Sequence, residues 1–519
     1  MYTIGIDIGG THTDAVLLDA SGKTAAWAKG TTTHPLTDGV KGIIQNVLQQ
    51  ANLCSACIKT VIMGTTHATN AILEGSQLLK VGLIRISDAK PLSPSPGFGW
   101  PRALQKQVIG ATQVIDGGYE CDARGSRRFS LIQARDAIEK LLDAGVEAIS
   151  IVGAFAPLNG EQERLIGCLV KELAGSDFPV SFSHEIGGIG LIERENATLL
   201  NSALKKVIVQ GFAQLEQILQ DLNICASVWL TQNNGSLLSL AEARLFPIKT
   251  IGAGPTNSFI GASRLCGLDE AIVVDVGGTS TDIGLIEGGY ARSSLQAATI
   301  GGIPLHFAMP DMISLALGGG SLIKNWEAGD IQIGPNSVAR YLKTSSQVFG
   351  GSILTLTDAA VAAGHFSVSG GMPSKIVLKP DEAQTVIRHV CKQVYQSIKV
   401  IQGKRKGIPV IVVGGGASLL QPLFEAFELE GIIPERAGIA NAYGAGLAEV
   451  SGVIDSVVSL KEREAVLDGL KNQAIQAAIK KGADASQIRI ASLSILPFAY
   501  TTDALAKVLV TASGPRLEV

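Results

Sequence analysis

Short runs of β-branched and other apolar residues alternate along this chain with longer stretches whose apolar positions recur every third or fourth residue. The first pattern suits a strand buried on both faces, and the second turns one stripe of a helix inward. Tyr2–Ile8, Ala15–Leu18 and Ala25–Lys29 therefore read as a strand meander, with the helix Thr37–Gln50 and the strand Thr60–Met63 after it. Thr65 and Thr66 offer hydroxyl caps for a helix reaching Leu73, because a side-chain oxygen can accept from the open N–H groups of a first turn. The strand Lys80–Ile86 comes next. From Pro91 to Arg128 the rhythm breaks into prolines and polar or basic turns, and this stretch is expected to be an insertion on a lobe or a loop lining a cleft. Alternation resumes with the helix Leu131–Leu142, the strand Ala148–Phe155, the helix Glu161–Leu173, the strand Val180–Phe182 and a long helix from about Leu191 to Leu222.

The second half starts the pattern again. Val228–Leu230, Ile248–Ile251, Ala271–Val276, Ile283–Ile286 and Pro409–Val413 read as strands. Gly252-Ala253-Gly254-Pro255 opens a helix, with proline at a position where its missing N–H costs nothing. Glu382–Ile401 and Asn441–Val450 read as helices, and from Ser451 the helix Leu460–Lys481 and two strands form a small C-terminal appendage. Alternating strands and helices predict an α/β fold.

One unit recurs. Asp7-Ile8-Gly9-Gly10-Thr11-His12-Thr13-Asp14 returns as Asp275-Val276-Gly277-Gly278-Thr279-Ser280-Thr281-Asp282, six of the eight positions being identical. Each copy follows one strand and precedes another, so the repeat predicts two similar lobes facing each other: residues 1–190 with an insertion at about 88–130, and residues 191–450 with interlobe helices, before the appendage 451–519. The residue types suit phosphate. Glycines such as Gly9, Gly10, Gly277 and Gly278 let backbone N–H groups approach phosphate oxygens, and the hydroxyls of Thr11, Thr13, Thr279 and Thr281 can donate to them. Asp7 and Asp275 would be repelled by phosphate, but fit as holders of Mg2+ through its waters. Gly414-Gly415-Gly416 follows a strand and precedes a helix, where bare backbone can lie against a nucleobase or ribose. Together these elements predict bound Mg2+ and ATP.

Composition narrows the field. At 519 residues, with 46% hydrophobic and 17% charged residues, the chain has material for more than one core. A formal charge of −3 gives no basic footprint, so nucleic acid is not an expected partner. The chain shows no charged leader ahead of its first strand and no apolar run long enough to cross a bilayer, so a cytoplasmic protein without a membrane span is expected. Of seven cysteines, Cys54 and Cys57 make a lone C-x-x-C with no second pair at zinc spacing.

The two hairpins and the triple glycine resemble the phosphate and adenosine motifs of the superfamily of actin, heat-shock chaperones and sugar kinases, with its ribonuclease H-like duplicated lobes. Within it the chain is similar to the A-type, ATP-binding subunit of the hydantoinase and oxoprolinase family. The resemblance rests on Gly5 through Asp14, Gly64-Thr65-Thr66-His67-Ala68-Thr69-Asn70-Ala71, Glu185-Ile186, Glu193-Arg194, Gly254-Pro255, Gly318-Gly319-Gly320-Ser321, Thr357-Asp358-Ala359 and Ala440-Asn441-Ala442. It departs at Met63, where histidine is usual, and at Gly334-Pro335-Asn336, where the family has Gly-Pro-Ala-Cys-Tyr-Gly. The resemblance implies a two-lobed actin-like ATPase that phosphorylates the carbonyl oxygen of a cyclic amide (a hydantoin, lactam or oxoproline-like compound) for hydrolysis, with a B-type subunit completing the reaction.

Single residues carry narrower expectations. His67, in a Thr- and Asn-rich turn, can orient substrate, act as acid or base, or serve as a cap. Asp14 and Asp282 can serve as base or orient water, or staple each hairpin by a hydrogen bond. Glu193 and Arg194 fit either the family motif or an exposed ionic helix face, and Arg124, Arg127 and Arg128 a solvated turn or a contact with an anionic substrate. Two rival readings remain open: a small-molecule kinase transferring phosphate to a hydroxyl, and a non-metabolic nucleotide switch resembling actin.

Overall fold

The computed structural model describes residues 2–32, 36–87, 94–120, 124–125, 128–292, 294, 298–305, 309–326, 330–498 and 505–517. Arg127 and residues 88–93 of the proline-rich stretch lie outside them.

Two sheets carry the repeat. In the first, Tyr2–Ile8 pairs antiparallel with His12–Leu18, and that strand with Thr24–Thr31. Ile58–Thr65 lies parallel on the other side of Tyr2–Ile8, followed by Ser227–Thr231. In the second, Ala271–Val276 pairs antiparallel with Thr281–Glu287 and parallel with Val410–Val413. The registers coincide: Asp7 faces Asp14, and Asp275 faces Asp282. Sequence identity at the turns thus becomes structural identity, and the molecule is an α/β protein with two duplicated lobes.

The first sheet draws strands from distant parts of the chain. Leu237–Ser239 continues it beyond Ser227–Thr231, and Val450–Ser459, Leu505–Gly514 and Arg489–Pro497 complete its nine strands. The segment expected as an appendage is joined to this sheet through the Leu237↔Val450 pair, with the helix Arg463–Lys480 packed on its strands. The helix Leu191–Asp221 covers the first sheet, burying Leu199, Leu200, Leu204, Val207 and Phe212. A four-stranded parallel sheet stands beside it, ordered Ile109–Ile115, Val81–Ile86, Ala148–Gly153, Val180–Phe182. Its edge strand, with the helix Arg102–Val108 before it, comes from the stretch expected as an insertion or loop. Prolines ahead of that helix hid the pattern.

Two other expectations differ. Residues expected as the strand Ile248–Ile251 form a 3-10 turn, Pro247–Thr250, after Pro247. The helix expected over Asn441–Val450 is Ala440–Gly446, and Val450 opens a strand. Apolar residues without a clear period suit either element, and tertiary pairing decides.

Two helices cross where the lobes meet. A Cβ on Gly261 of Ala253–Cys266 would stand 1.9 Å from the Ala440 carbonyl oxygen, and one on Gly444 1.9 Å from that of Asn257. Gly5 faces Ala442 in the same way, at 2.3 Å. Only glycine admits this approach, which fixes the crossing against the first hairpin. Among the described residues no helix is long and apolar enough to cross a membrane.

Candidate functional site

The two Gly-Gly turns meet. A Cβ on Gly278 would lie 3.1 Å from the Thr11 side chain, whereas one on Gly10 would meet nothing within 4 Å. The first turn is closed by the Gly9 N–H donating to the His12 carbonyl at 3.0 Å, the second by Gly277 N–H to the Ser280 carbonyl at 2.9 Å. Behind the second turn, the Gly319 and Gly320 N–H groups donate to the carbonyls of Gly277 and Gly278. The Gly318-Gly319-Gly320-Ser321 segment therefore braces that turn.

Four acids lie behind the turns. Asp7 and Asp14 are 7% and 6% exposed, while Asp275 and Asp282 keep a little more surface. A glycine covers each strand-end acid from the parallel neighbour. A Cβ on Gly64 would stand 3.2 Å from Asp7 Oδ1, and one on Gly414, at φ +92°, 2.3 Å from Asp275 Oδ1. Gly414 thus makes room for Asp275. The residues after the triple glycine form the 3-10 turn Ala417–Leu420 and a short helix, Pro422–Ala426.

Burial dominates the electrostatics. Burial, with Asp14 nearby, raises the Asp7 carboxyl well above the ordinary range. Burial also raises Asp14, which Lys29 partly offsets. Asp275 is raised by burial against a hydrogen bond from Ser258. Asp282 is pushed up to about 7 by burial, opposed by a hydrogen bond from Ser314. Such shifts mean that charged carboxylates want a cation here. Asp7 Oδ1, Asp14 Oδ1, Asn257 Oδ1 and Asn441 Oδ1 are buried acceptors with no hydrogen-bond partner among the described residues. Orphaned buried acceptors in one region ask for an ion, water or ligand.

Not every expected group faces the space between the turns. The Thr13 hydroxyl is buried and bonds Thr32, and the Thr281 hydroxyl donates to the Leu317 carbonyl at 2.6 Å. Thr11 and Thr279 keep surface. Asp14 and Asp282 reach outward to the next strand, Asp14 to Lys29 at 2.8 Å and Asp282 to Ser314. His67 opens the helix His67–Glu74, tied to the first hairpin by the Thr66 N–H donating to the Ile8 carbonyl. Its ring lines a small apolar pocket with Ile8, Met63, Gly211 and Phe212. Arg194 is fully buried and donates to the carbonyls of Gly153, Gly188 and Ile189. Burial lowers it to about 10, and it is not part of an exposed ionic helix face.

Sequence reasoning missed Lys29, Asn257 and Ser258. Lys29 Nζ also donates to the Gly438 carbonyl at 3.1 Å, joining the first hairpin to the second lobe. It is the direct cross-strand partner of Asp14, so counting register along the meander would have found it. Asn257 and Ser258 follow Gly254-Pro255 on the crossing helix, and only the three-dimensional crossing brings them to the acids. A separate cavity of about 420 Å³, lined in part by His184, Glu185, Asn233, Lys249 and Lys507, contains none of the hairpin residues.

Duplicated hairpins, crossing helices and two sheets define a two-lobed actin-like fold. Residues 3–174 match the hydantoinase/oxoprolinase N-terminal region and residues 194–369 the hydantoinase/oxoprolinase domain; the chain belongs to that family. It is 27% identical over 423 residues to the caprolactamase subunit alpha of Pseudomonas jessenii, covering 75% of this chain and 58% of that protein. It is 24% identical over 373 residues to 5-oxoprolinase 1 of Arabidopsis thaliana, covering 66% of this chain and 28% of that one. The chain thus spans about three fifths or less of these two relatives. The crystal structure of the ATP-dependent caprolactamase from Pseudomonas jessenii superposes with a TM-score of 0.77 at 21% identity, covering 100% of this chain and 89% of that one. Nucleotide-free acetone carboxylase gives 0.72 at 18% identity, covering 99% and 88%.

Proposed function

We propose that this chain binds Mg-ATP between its lobes and phosphorylates the carbonyl oxygen of a cyclic amide for hydrolysis, working in the cytoplasm with a second, B-type subunit. The observation that carries this reading is the meeting of the two Gly-Gly turns, Thr11 against Gly278, over buried acids with orphaned oxygens. The relatives named above support it, one being the alpha subunit of a caprolactamase and the other a 5-oxoprolinase.

The residues fit the groups. Asp7 and Asp275 set two largely buried carboxylates behind the turns. Mg2+ suits such a place, since it keeps several waters and takes one or two carboxylates together with phosphates. In this reading Asp7 and Asp275 hold the ion through its waters. Gly9, Gly10, Thr11, Gly277, Gly278 and Thr279 present N–H and O–H donors to the phosphates, Thr13 and Thr281 fix the turns from behind, and Gly414, Gly415 and Gly416 border the nucleoside. Mg-ATP supplies the phosphoryl group and, in the metal, charge to neutralise it.

The chemistry explains the need for ATP. An amide C–N bond is strengthened by resonance. Transfer of the γ-phosphoryl group to the amide oxygen, with ADP departing, ends that resonance and leaves an electrophilic carbon. Water can then add there, the C–N bond breaks as the departing nitrogen takes up a proton, and the acyl phosphate that remains is hydrolysed by a second water to carboxylate and phosphate. Asp14, held by Lys29, orients water or accepts a proton, and His67 is the acid/base candidate on the substrate side.

The test is ATP hydrolysis with caprolactam, 5-oxoproline and hydantoin, with the chain by itself and with a B-type partner. Expected are slow basal turnover and acceleration by one cyclic amide only when the partner is present. A stable phosphorylated alcohol formed without a partner would favour the small-molecule kinase instead.

A further inference from the structure

Cys54 and Cys57 lie outside the nucleotide reading and do not depend on it. They end the connection between the helix Leu36–Gln50 and the strand Ile58–Thr65. Both flanks are pinned: Leu53 N–H donates back to the Leu48 carbonyl at 3.1 Å, and Ile58 is fully buried beside Tyr2. Between them Ser55–Cys57 makes one 3-10 turn, closed by Cys57 N–H donating to the Cys54 carbonyl at 3.1 Å. That turn brings the two Sγ atoms to 3.3 Å, in hydrogen-bond contact, with Cys54 exposed and Cys57 half-exposed.

We infer that Cys54 and Cys57 form a surface dithiol that a small disulfide of the glutathione class converts to an intramolecular disulfide. The sulfurs need to close from 3.3 Å to about 2.05 Å, a side-chain movement within a turn that is already formed. Cys54 is the more exposed of the two, and the contact between the sulfurs lowers its thiol from the ordinary value while raising that of Cys57. Cys54 is therefore the attacking thiolate and Cys57 the resolving thiol. Cys54 loses its proton and attacks one sulfur of the oxidant, breaking its S–S bond, forming a mixed disulfide and releasing one thiolate. Cys57 then loses its proton and attacks Cys54 Sγ, forming the internal disulfide and expelling the second thiolate. Both released thiolates take up the protons, so two protein thiols are oxidised and one disulfide molecule is reduced to two thiols.

Cys168 and Cys225 are exposed internal controls, and neither has another cysteine sulfur in contact among the described residues. Incubate the full chain with glutathione and glutathione disulfide, raising the disulfide until Cys168 or Cys225 is modified, then block free thiols with a maleimide and map peptides by mass. Expected is a peptide in which Cys54 and Cys57 escape the maleimide together, carry no glutathione and lack two hydrogens, reversed by dithiothreitol. Cys57→Ser should strand glutathione on Cys54, and Cys54→Ser should leave Cys57 as slow as the controls. Wild-type protein holding glutathione on Cys54 with Cys57 blocked by maleimide overturns the inference. So does full blocking of both at a disulfide level that modifies Cys168 or Cys225.

Discussion

The two hairpins share a sequence and a register but differ in what stands behind the second acid. In the first, Asp14 faces a cation, Lys29, which also bonds the Gly438 carbonyl of the other lobe. In the second, Asp282 receives a hydrogen bond from the Ser314 side chain and is pushed up to about 7 by burial. Duplication therefore preserved the turn while the flanking strand diverged, giving the second acid of the first hairpin a cation that also bridges the lobes, and that of the second a hydroxyl. The difference teaches that a repeated motif fixes backbone geometry, while its electrostatics are set by neighbours outside the motif.

The largest expected effect treats the halves as equals. Asp7→Asn and Asp275→Asn each keep shape but remove charge next to the proposed metal, and a contact of that kind in a transition state is worth about 3–4 kcal/mol. ATP turnover should fall on the order of a hundredfold or more, with the melting temperature of the nucleotide-free protein hardly lowered. Variants that melt early instead would make these acids structural.

The next prediction separates the halves. Lys29→Met leaves Asp14 buried without its cation, and because Lys29 is partly exposed the loss should be about 2 kcal/mol of stability, below the range for fully buried pairs. Adding Asp14→Asn should recover part of it. Ser314→Ala removes one hydrogen bond and should cost about 1 kcal/mol. Urea unfolding midpoints read all three, and equal losses for Lys29→Met and Ser314→Ala would erase the asymmetry.

pH sharpens the same contrast. A carboxyl raised from 3.8 to about 7 on folding binds more protons in the native state. Its stabilising contribution is full below about 4, fades as pH rises through that interval, and is gone above about 7. Asp282→Asn should therefore flatten the fall in apo melting temperature between pH 4 and 7. A wild-type slope retained by the variant would contradict the shift.

The smallest effect probes open space. A methyl at Gly10 meets nothing within 4 Å, so Gly10→Ala should leave apo stability unchanged but, by blocking phosphate, weaken ATP binding about tenfold, or about 1.4 kcal/mol. Unchanged affinity would move phosphate away from the first turn.

How much was legible follows from which interactions are local. The hairpins, the long helix from Leu191 and the strand before Gly414 were readable because identity at the turns and apolar periodicity lie within short windows. The strand Ile109–Ile115 was not, since the prolines ahead of it read as a loop. Joining Val450–Ser459 to the first sheet depends on a single pairing with Leu237, which no window contains. In the candidate site, Asp7 and Asp275 could be chosen from their turns. Asn257 and Ser258 could not, because the glycine-lined crossing at Gly261 and Gly444 brings them there.

The most direct test of the central claim is isothermal titration of the intact chain with ATP, with and without Mg2+, beside an Asp7→Asn, Asp275→Asn double variant. The account predicts one site per chain whose affinity depends on Mg2+ and on both acids. An absence of heat and of thermal stabilisation at millimolar Mg-ATP would contradict it.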